Sequence, residues 1–245
     1  MKRITALLLS LLLTVSLTAC GGNESQNSQE SEETAADHSA SEENEAADPV
    51  PEESTENSGT NMLVAYFSYG ENADLPEGVD TSSSASIQVW NGETTGNTGV
   101  VAAMIAEATG ADLFSIQTVE KYPDTYDATV DQGQEEQRED ARPQLASQIE
   151  NLDTYDVIFL GYPNWWGDMP MAMYSFLDEV DLSGKTIVPF VTSGGSGFSS
   201  TISTIESMES GATVQEGLAI SASGAASAQD QVNEWLGGLG YVTAE

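Results

Sequence analysis

"YDVIFLGYPNWWGDMP", residues 155–170, decides how the rest of the chain is read. Residues 155–163 form an apolar run of strand length, as expected for a strand covered on both faces of a parallel sheet. Residues 161–170 form a loop held between Gly161, Pro163 and Pro170. Two adjacent tryptophans, Trp165 and Trp166, cannot both enter one core. Either one of them faces a groove where a flat, partly apolar ligand could stack, or the pair caps the end of the sheet.

Working outward from this strand, strands and helices alternate. "MLVAYFS" (62–68) is a second buried strand. Residues 97–109 read as a helix with Val101, Met104, Ile105 and Ala108 on one face and Gly110 as its stop. "DLFSIQ" (112–117) is a strand, and residues 126–150 are polar and helical in part, broken near Pro143. Asp168 is a fair N-cap for a helix that has Pro170 early and runs to about Glu179. "KTIVPFVTS" (185–193) is a fourth strand, although Pro189 removes a backbone donor from it. A helix over 199–208, a fifth strand over 213–220 and a closing helix over 227–240 follow, the last burying Val232, Trp235 and Leu236. Five strands with intervening helices make an α/β fold with a parallel sheet and right-handed crossovers. In such sheets ligands bind beyond the carboxyl ends of the strands.

Three loops therefore matter together. The first contains "TTGNTG" (94–99), where threonine hydroxyls and the amides of a helix N-terminus favour an anion. No Lys follows, so this is not an NTP-hydrolysing phosphate loop; it suits the terminal phosphate of a mononucleotide. A phosphate cradle of this kind ordinarily follows directly on a strand, yet residues 69–94 intervene. The second loop is the tryptophan loop. The third, "TSGGSGFSS" (192–200), has glycines that let its backbone approach a ligand and donate amides, or that simply make a flexible turn. Ser196 lacks the spacing of a nucleophile elbow.

Composition removes whole classes of chemistry. Cys20 is the only cysteine and His38 the only histidine. Residues 61–245 thus carry no Cys nucleophile, no disulfide, no Ser-His-Asp triad and none of the usual zinc sites, so redox chemistry there needs a bound cofactor. Residues 1–20 read as a leader: Lys2 and Arg3, an apolar run over 4–17, then Leu17-Thr18-Ala19-Cys20. This resembles a bacterial lipobox in which Cys20 is acylated, the alternative being an ordinary secretory signal. Residues 21–60 contain 12 acids and no Lys or Arg. They cannot bury enough surface to offset their ordering entropy and read as a disordered acidic tether with a reach of about 35 Å. Residues 61–245 form one domain carrying 28 acids and 4 bases. That balance argues against nucleic acid and disfavours polyanionic substrates.

"VAYFS" (64–68), "TGNT" (95–98), "GYPNWWG" (161–167) and "PFVTSGGSGF" (189–198), in this order, resemble the flavodoxin-like family, specifically its short flavodoxin-related reductase branch, over residues 62–240. The resemblance implies a three-layer sandwich with a five-stranded parallel sheet in the order 2-1-3-4-5, helices on both faces, and FMN as cofactor. It implies a phosphate loop at Ser68, Thr95, Gly96, Asn97 and Thr98. Pro163, Asn164, Trp165, Trp166 and Gly167 would lie along the isoalloxazine. Thr192, Ser193, Gly194, Gly195 and Phe198 would lie near the ring's other edge. The insertion 69–94 is the departure. Loop closure grows slowly in cost with length, so its flanks can still meet. "SIQVW" (86–90) could form a short β-ribbon that walls the site and brings Trp90 to the flavin, or a surface hairpin away from it.

On this reading the protein is an FMN-dependent redox protein, lipid-anchored on the extracytoplasmic face of a bacterial membrane. Its acceptor would be a quinone or a redox protein. No catalytic side chain is assigned; Tyr162, Asn164 and Ser193 are candidates to hydrogen-bond the ring. The acidic surroundings would disfavour an anionic reduced flavin and direct NADPH docking. Arg138 and Arg142 are expected to pair with nearby acids. The rival readings are an electron carrier acting only through a protein partner, and a flavin-free binding lipoprotein that kept the fold.

Overall fold

The structure is a computed structural model that describes residues 60–75 and 86–242, all within one compact unit, Thr55–Glu245. The leader with Cys20, the tether apart from Thr60, and the middle of the insertion at 76–85 lie outside the described residues.

The central strands are β1 (Met62–Tyr66), β4 (Asp112–Ser115), β5 (Val157–Pro163) and β6 (Thr186–Ser193), with β7 (Thr213–Val214) and β8 (Leu218–Ser221) along one edge. They lie in the order β4-β1-β5-β6, followed by β7 and β8 side by side in sequence on β6, and every pairing is parallel. This is the expected 2-1-3-4-5 order with the fifth strand in two pieces.

The alternation along β1 shows why the sheet needs cover on both faces. Leu63, Ala65 and Phe67 enter one core with Met173 and Phe176 of α4 (Met171–Glu179) and Ile205 of α5 (Thr201–Met208). Val64 and Tyr66 enter a second core with Val101, Met104 and Ile105 of α2 (Asn97–Thr109) and Val232 and Leu236 of α6 (Gln229–Leu239). A period of two on the strand feeds two apolar helix stripes, which is the three-layer sandwich. Of the apolar face expected on α2, Val101, Met104 and Ile105 are buried and Ala108 is half-buried, and Gly110 ends the helix in the left-handed conformation at φ +73°.

Several boundaries differ from the sequence reading. The single strand expected over 213–220 is split, because Pro189 has no N–H to give. The Ile187 carbonyl accepts from the Gln215 amide at 2.9 Å, so alternation turns Pro189 toward the same edge. Ile187 pairs with Val214 and Phe190 with Leu218, so the edge strand takes one residue more than β6 across the gap. At that gap Gly217 lies over the Pro189 carbonyl, where a Cβ would come within 2.8 Å of the oxygen. The strand expected over 112–117 ends at Ser115. The polar segment forms α3 (Tyr126–Glu139), which stops at Asp140 in the left-handed conformation, earlier than Pro143. Pro170, not Asp168, occupies the N-cap of α4; the Asp168 carboxylate instead accepts from the Met169 amide and the Tyr174 hydroxyl. Trp235 is only half-buried and donates to the Glu216 carbonyl at 3.1 Å.

The insertion begins as a single helical turn, α1 (Tyr69–Asn72). It returns as an antiparallel hairpin, β2 (Ile87–Trp90) with β3 (Glu93–Gly96). The expected ribbon exists, and its second strand is made from the cradle itself: Thr94, Thr95 and Gly96 are extended, not turned. Among the described residues no helix is long and apolar enough to cross a membrane.

Candidate functional site

The carboxyl ends of β1, β5 and β6 meet at one cleft. It is lined by Ser68 after β1, Asn97 and Thr98 at the start of α2, Pro163, Asn164 and Trp165 after β5, and Thr192, Ser193 and Gly194 at the end of β6. Tyr69, Ser86 and Ala222 complete it. A larger cleft of about 280 Å³ lies at the opposite edge, between Met62, Asp112 and Tyr155. It faces the amino ends of the strands and has no glycine-rich turn, so the carboxyl-edge cleft is the one built for a ligand.

The floor of the first loop is a buried hydroxyl. Ser68 is wholly buried, and its Oγ has no hydrogen-bond partner among the described residues. An unpaired buried hydroxyl loses roughly 1–3 kcal/mol, which a ligand atom accepting from it in the cleft would recover. Beside it, Thr98 Oγ1 lies 2.8 Å from Thr192 Oγ1, tying α2 to the end of β6. Thr98 and Gly99 stand in the first turn of α2, where amides lack intrahelical partners. The Asn97 amide donates to the Ser86 carbonyl at 3.0 Å, so the hairpin caps the helix, and Asn97 Oδ1 accepts from Gln88 at 2.8 Å.

Thr95 and Gly96 serve the site indirectly. The Thr95 hydroxyl donates to Glu71, and Thr95 does not line the cleft. A Cβ on Gly96 would stand 2.4 Å from Ser68 Oγ, so only glycine allows the hairpin this close to the end of β1.

The second and third loops lock each other. Asn164 Nδ2 donates to the Gly197 carbonyl at 2.9 Å and to Ser199 Oγ at 3.0 Å, its Oδ1 accepts from the Gly167 amide at 3.0 Å, and its amide donates to the Thr192 carbonyl at 2.9 Å. Ser193 Oγ accepts from the amides of Gly195 and Gly197 at 3.3 and 2.9 Å. These side chains organise the loops. Tyr162, a candidate ring partner by sequence, is wholly buried and donates to Thr201 at 2.7 Å; burial first of all holds its phenol well above the usual range.

The tryptophans divide their work. Trp165 lines the cleft and meets Phe67 and Tyr122 edge-on at 5.6 and 5.3 Å. Trp166 is 42% exposed, meets Trp165 at 5.9 Å and lies on Gly133 of α3. Trp165 and Asp168 exchange both backbone hydrogen bonds around Trp166 and Gly167, at φ +52° and +84°. That is a tight turn with positive φ at both central residues, which a tryptophan adopts only under strain. Trp166, Gly167, Gly195 and Phe198 lie outside the cleft lining, and Phe198 turns toward Gly217. Trp90 packs against the core beside α2 and is absent from the lining.

Among the described residues no lysine or arginine lines the cleft. Lys121 donates to the Glu71 carbonyl and to Gln117, and Lys185 donates to the Tyr155 carbonyl. Arg142 pairs with Asp140 and Asp178 as expected, and it stands 5.2 Å above the Tyr174 ring. Arg138 makes no ion pair among the described residues. The site can therefore hold an anion by hydroxyls, amides and a helix end alone. Sequence reasoning missed Ser86 and Tyr69, which only the fold of the insertion brings in. It also missed Ala222, which the carboxyl-end rule could have found just after β8.

The family model for flavodoxin matches residues 87–239. Among solved structures, a candidate flavoprotein from Bacteroides eggerthii DSM 20697 is 26% identical, covering 74% of this chain and 99% of its own, with a TM-score of 0.57. A second candidate flavoprotein, from Bacteroides uniformis ATCC 8492, is 27% identical over 73% and 98% of the two chains, with a TM-score of 0.55. A flavoprotein in complex with FMN from Lactobacillus acidophilus NCFM is 19% identical over 72% and 99%, with a TM-score of 0.50, a likeness of fold. Among curated proteins none matches significantly. A single buried sheet with its loops gathered at one rim, and a family match across most of that same domain, lead to one conclusion: the chain belongs to the flavodoxin family.

Proposed function

We propose that this chain is an FMN-dependent redox protein that passes electrons to a small acceptor such as a quinone. The observation that carries this reading is the buried, unpaired Ser68 hydroxyl beside Gly96, the N-cap of α2. An FMN phosphate has the charge and size to use that hydroxyl, Thr98 and the helix amides without a cation. When bound, FMN supplies one- or two-electron transfer. The chain's own residues bind and orient. Ser68 and Thr98 hold the phosphate end. Pro163 and Trp165 form one apolar wall, and Thr192, Ser193 and Gly194 the other. The test is titration of the purified protein with FMN, followed by quenching of flavin fluorescence. A saturable, stoichiometric quench supports the reading, and a protein that stays colourless in excess FMN overturns it.

A second reading, an electron carrier served by a protein partner, is favoured by the exposure of Trp166 in ring contact with cleft-lining Trp165. Turnover of a quinone by the FMN-loaded protein separates the two. We further propose that acylation of Cys20 holds the domain at the extracytoplasmic face of a bacterial membrane, beside quinones or redox proteins. The leader pattern over 1–20 and the acidic segment 21–60 support it. Incorporation of labelled palmitate that disappears in Cys20→Ala is the expected result.

A further inference from the structure

The insertion cuts the chain between the two halves of the phosphate cradle, and the structure rejoins them without covalent continuity. Ser68 follows β1 and Asn97 opens α2. Between them, Gly70 and residues 95–96 press backbone to backbone. A Cβ on Gly70 would stand 2.1 Å from the Thr95 carbonyl oxygen, and one on Gly96 would stand 2.9 Å from the Ser86 carbonyl oxygen. Around this contact the Glu71 carboxylate accepts from the Tyr66 hydroxyl at 3.1 and 3.0 Å to its two oxygens, from the Thr95 hydroxyl and from the Ser115 hydroxyl. One side chain thus ties β1, β3 and β4 to the turn that follows Ser68. Lys121 anchors the same turn by donating to the Glu71 carbonyl at 2.8 Å.

A threonine hydroxyl has one proton to give. Thr95 gives it to Glu71, so toward an anion it offers only lone pairs, and it does not line the cleft. In a chain with an uninterrupted loop the backbone itself would hold the two flanks together. Here a side chain must do it. We propose that Glu71 is the positioning residue of the phosphate cradle, using Thr95 as a strut to hold the first turn of α2 opposite Ser68. This rests on the FMN reading and deepens it: Glu71 sets the preference for the phosphorylated flavin and touches no part of it.

The test compares FMN with riboflavin, which carries the same ring without the phosphate. Glu71→Ala, Glu71→Gln, Thr95→Val and the Glu71→Ala/Thr95→Val double variant are titrated with both flavins in the full chain. In Glu71→Ala we expect FMN affinity to fall about tenfold or more, with riboflavin affinity held within about twofold. Thr95→Val keeps the shape of the residue, so it should give a similar loss, and the double variant should lose no more than the larger single one. Glu71→Gln keeps one acceptor oxygen and should fall between. In the flavin-free protein, the amide resonances of Thr98 and Gly99 should shift in both Glu71→Ala and Thr95→Val.

Equal loss of FMN and riboflavin would make Glu71 a general stabiliser and overturn the proposal. So would tighter FMN binding in Glu71→Ala, which would mean the carboxylate merely repels phosphate, or strictly additive losses in the double variant. Should Glu71→Ala fail to fold, Thr95→Val with its riboflavin control decides alone. A wild-type chain that binds neither flavin overturns the cofactor reading and this inference with it. A wild type that binds FMN, with an unchanged flavin ratio in the variants, overturns this inference only.

Discussion

The two sides of the cleft are built on opposite principles. On the β5–β6 side both side-chain polar groups of Asn164 and the Ser193 hydroxyl oxygen are engaged by neighbouring loop atoms, so the two loops hold each other. On the β1–α2 side Ser68 keeps a buried hydroxyl with no partner among the described residues. One side is a finished wall; the other is an incomplete one. The contrast teaches where binding energy enters: preorganised loops fix a shape, while an unsatisfied buried donor gains most when an anion arrives.

The strongest way to break the comparison is Gly70→Ala. Its new Cβ would overlap the Thr95 carbonyl oxygen, a backbone atom with little room to retreat. We expect a loss of about 3 kcal/mol in urea unfolding, together with loss of FMN binding, as in severe overpacking. Ser68→Ala should sharpen the contrast. FMN affinity should fall about tenfold or more, the scale of a hydrogen bond to a charged group. The flavin-free protein should be no less stable than wild type, because the deleted hydroxyl had no partner to lose. A Tm drop in Ser68→Ala without flavin would contradict that account.

Asn164→Ala attacks the finished wall. It removes the link between the second and third loops and should lower unfolding stability by about 1–2 kcal/mol at unchanged m-value, with FMN and riboflavin affected alike. The smallest effect is expected from alkaline pH. Tyr66, Tyr122 and Tyr162 all have phenols raised, burial being the largest cause in each. A raised folded-state value means stability is fully present below the unfolded phenol value near pH 10 and is lost as pH climbs toward the folded values. The urea midpoint should hold to about pH 9 and decline above about pH 10, less steeply in Tyr162→Phe.

The strand at 155–163 was legible because an apolar run covered on both faces carries its own signature, and its loop because two tryptophans cannot share one core. The same rule found β1, while the strand order came from the family resemblance and the break at Pro189 from neither. The cleft lining was legible at Ser68, Asn97, Thr98, Pro163, Asn164 and Trp165, where residue type and position beyond a strand end coincide. It was not legible at Ser86, and the hydrogen-bond partners of Glu71 and Asn164 were not legible either. A glutamate in an acidic chain gives no sign that three hydroxyls converge on it, and an asparagine in a loop does not announce which carbonyl it will reach. Phe198 shows the converse: its place in a motif suggested the cleft, and packing against Gly217 sent it elsewhere.

Local patterning settled the layered α/β architecture, the site's rim and the absence of thiol and imidazole chemistry from residues 61–245, since periodicity and composition are properties of the chain itself. Tertiary structure alone decided that the two halves of an interrupted cradle meet, that Thr95 braces and Ser68 waits, and which tryptophan faces inward. Those outcomes depend on contacts between residues far apart in sequence, where hydrogen-bond geometry and close packing, not residue type, select the partner.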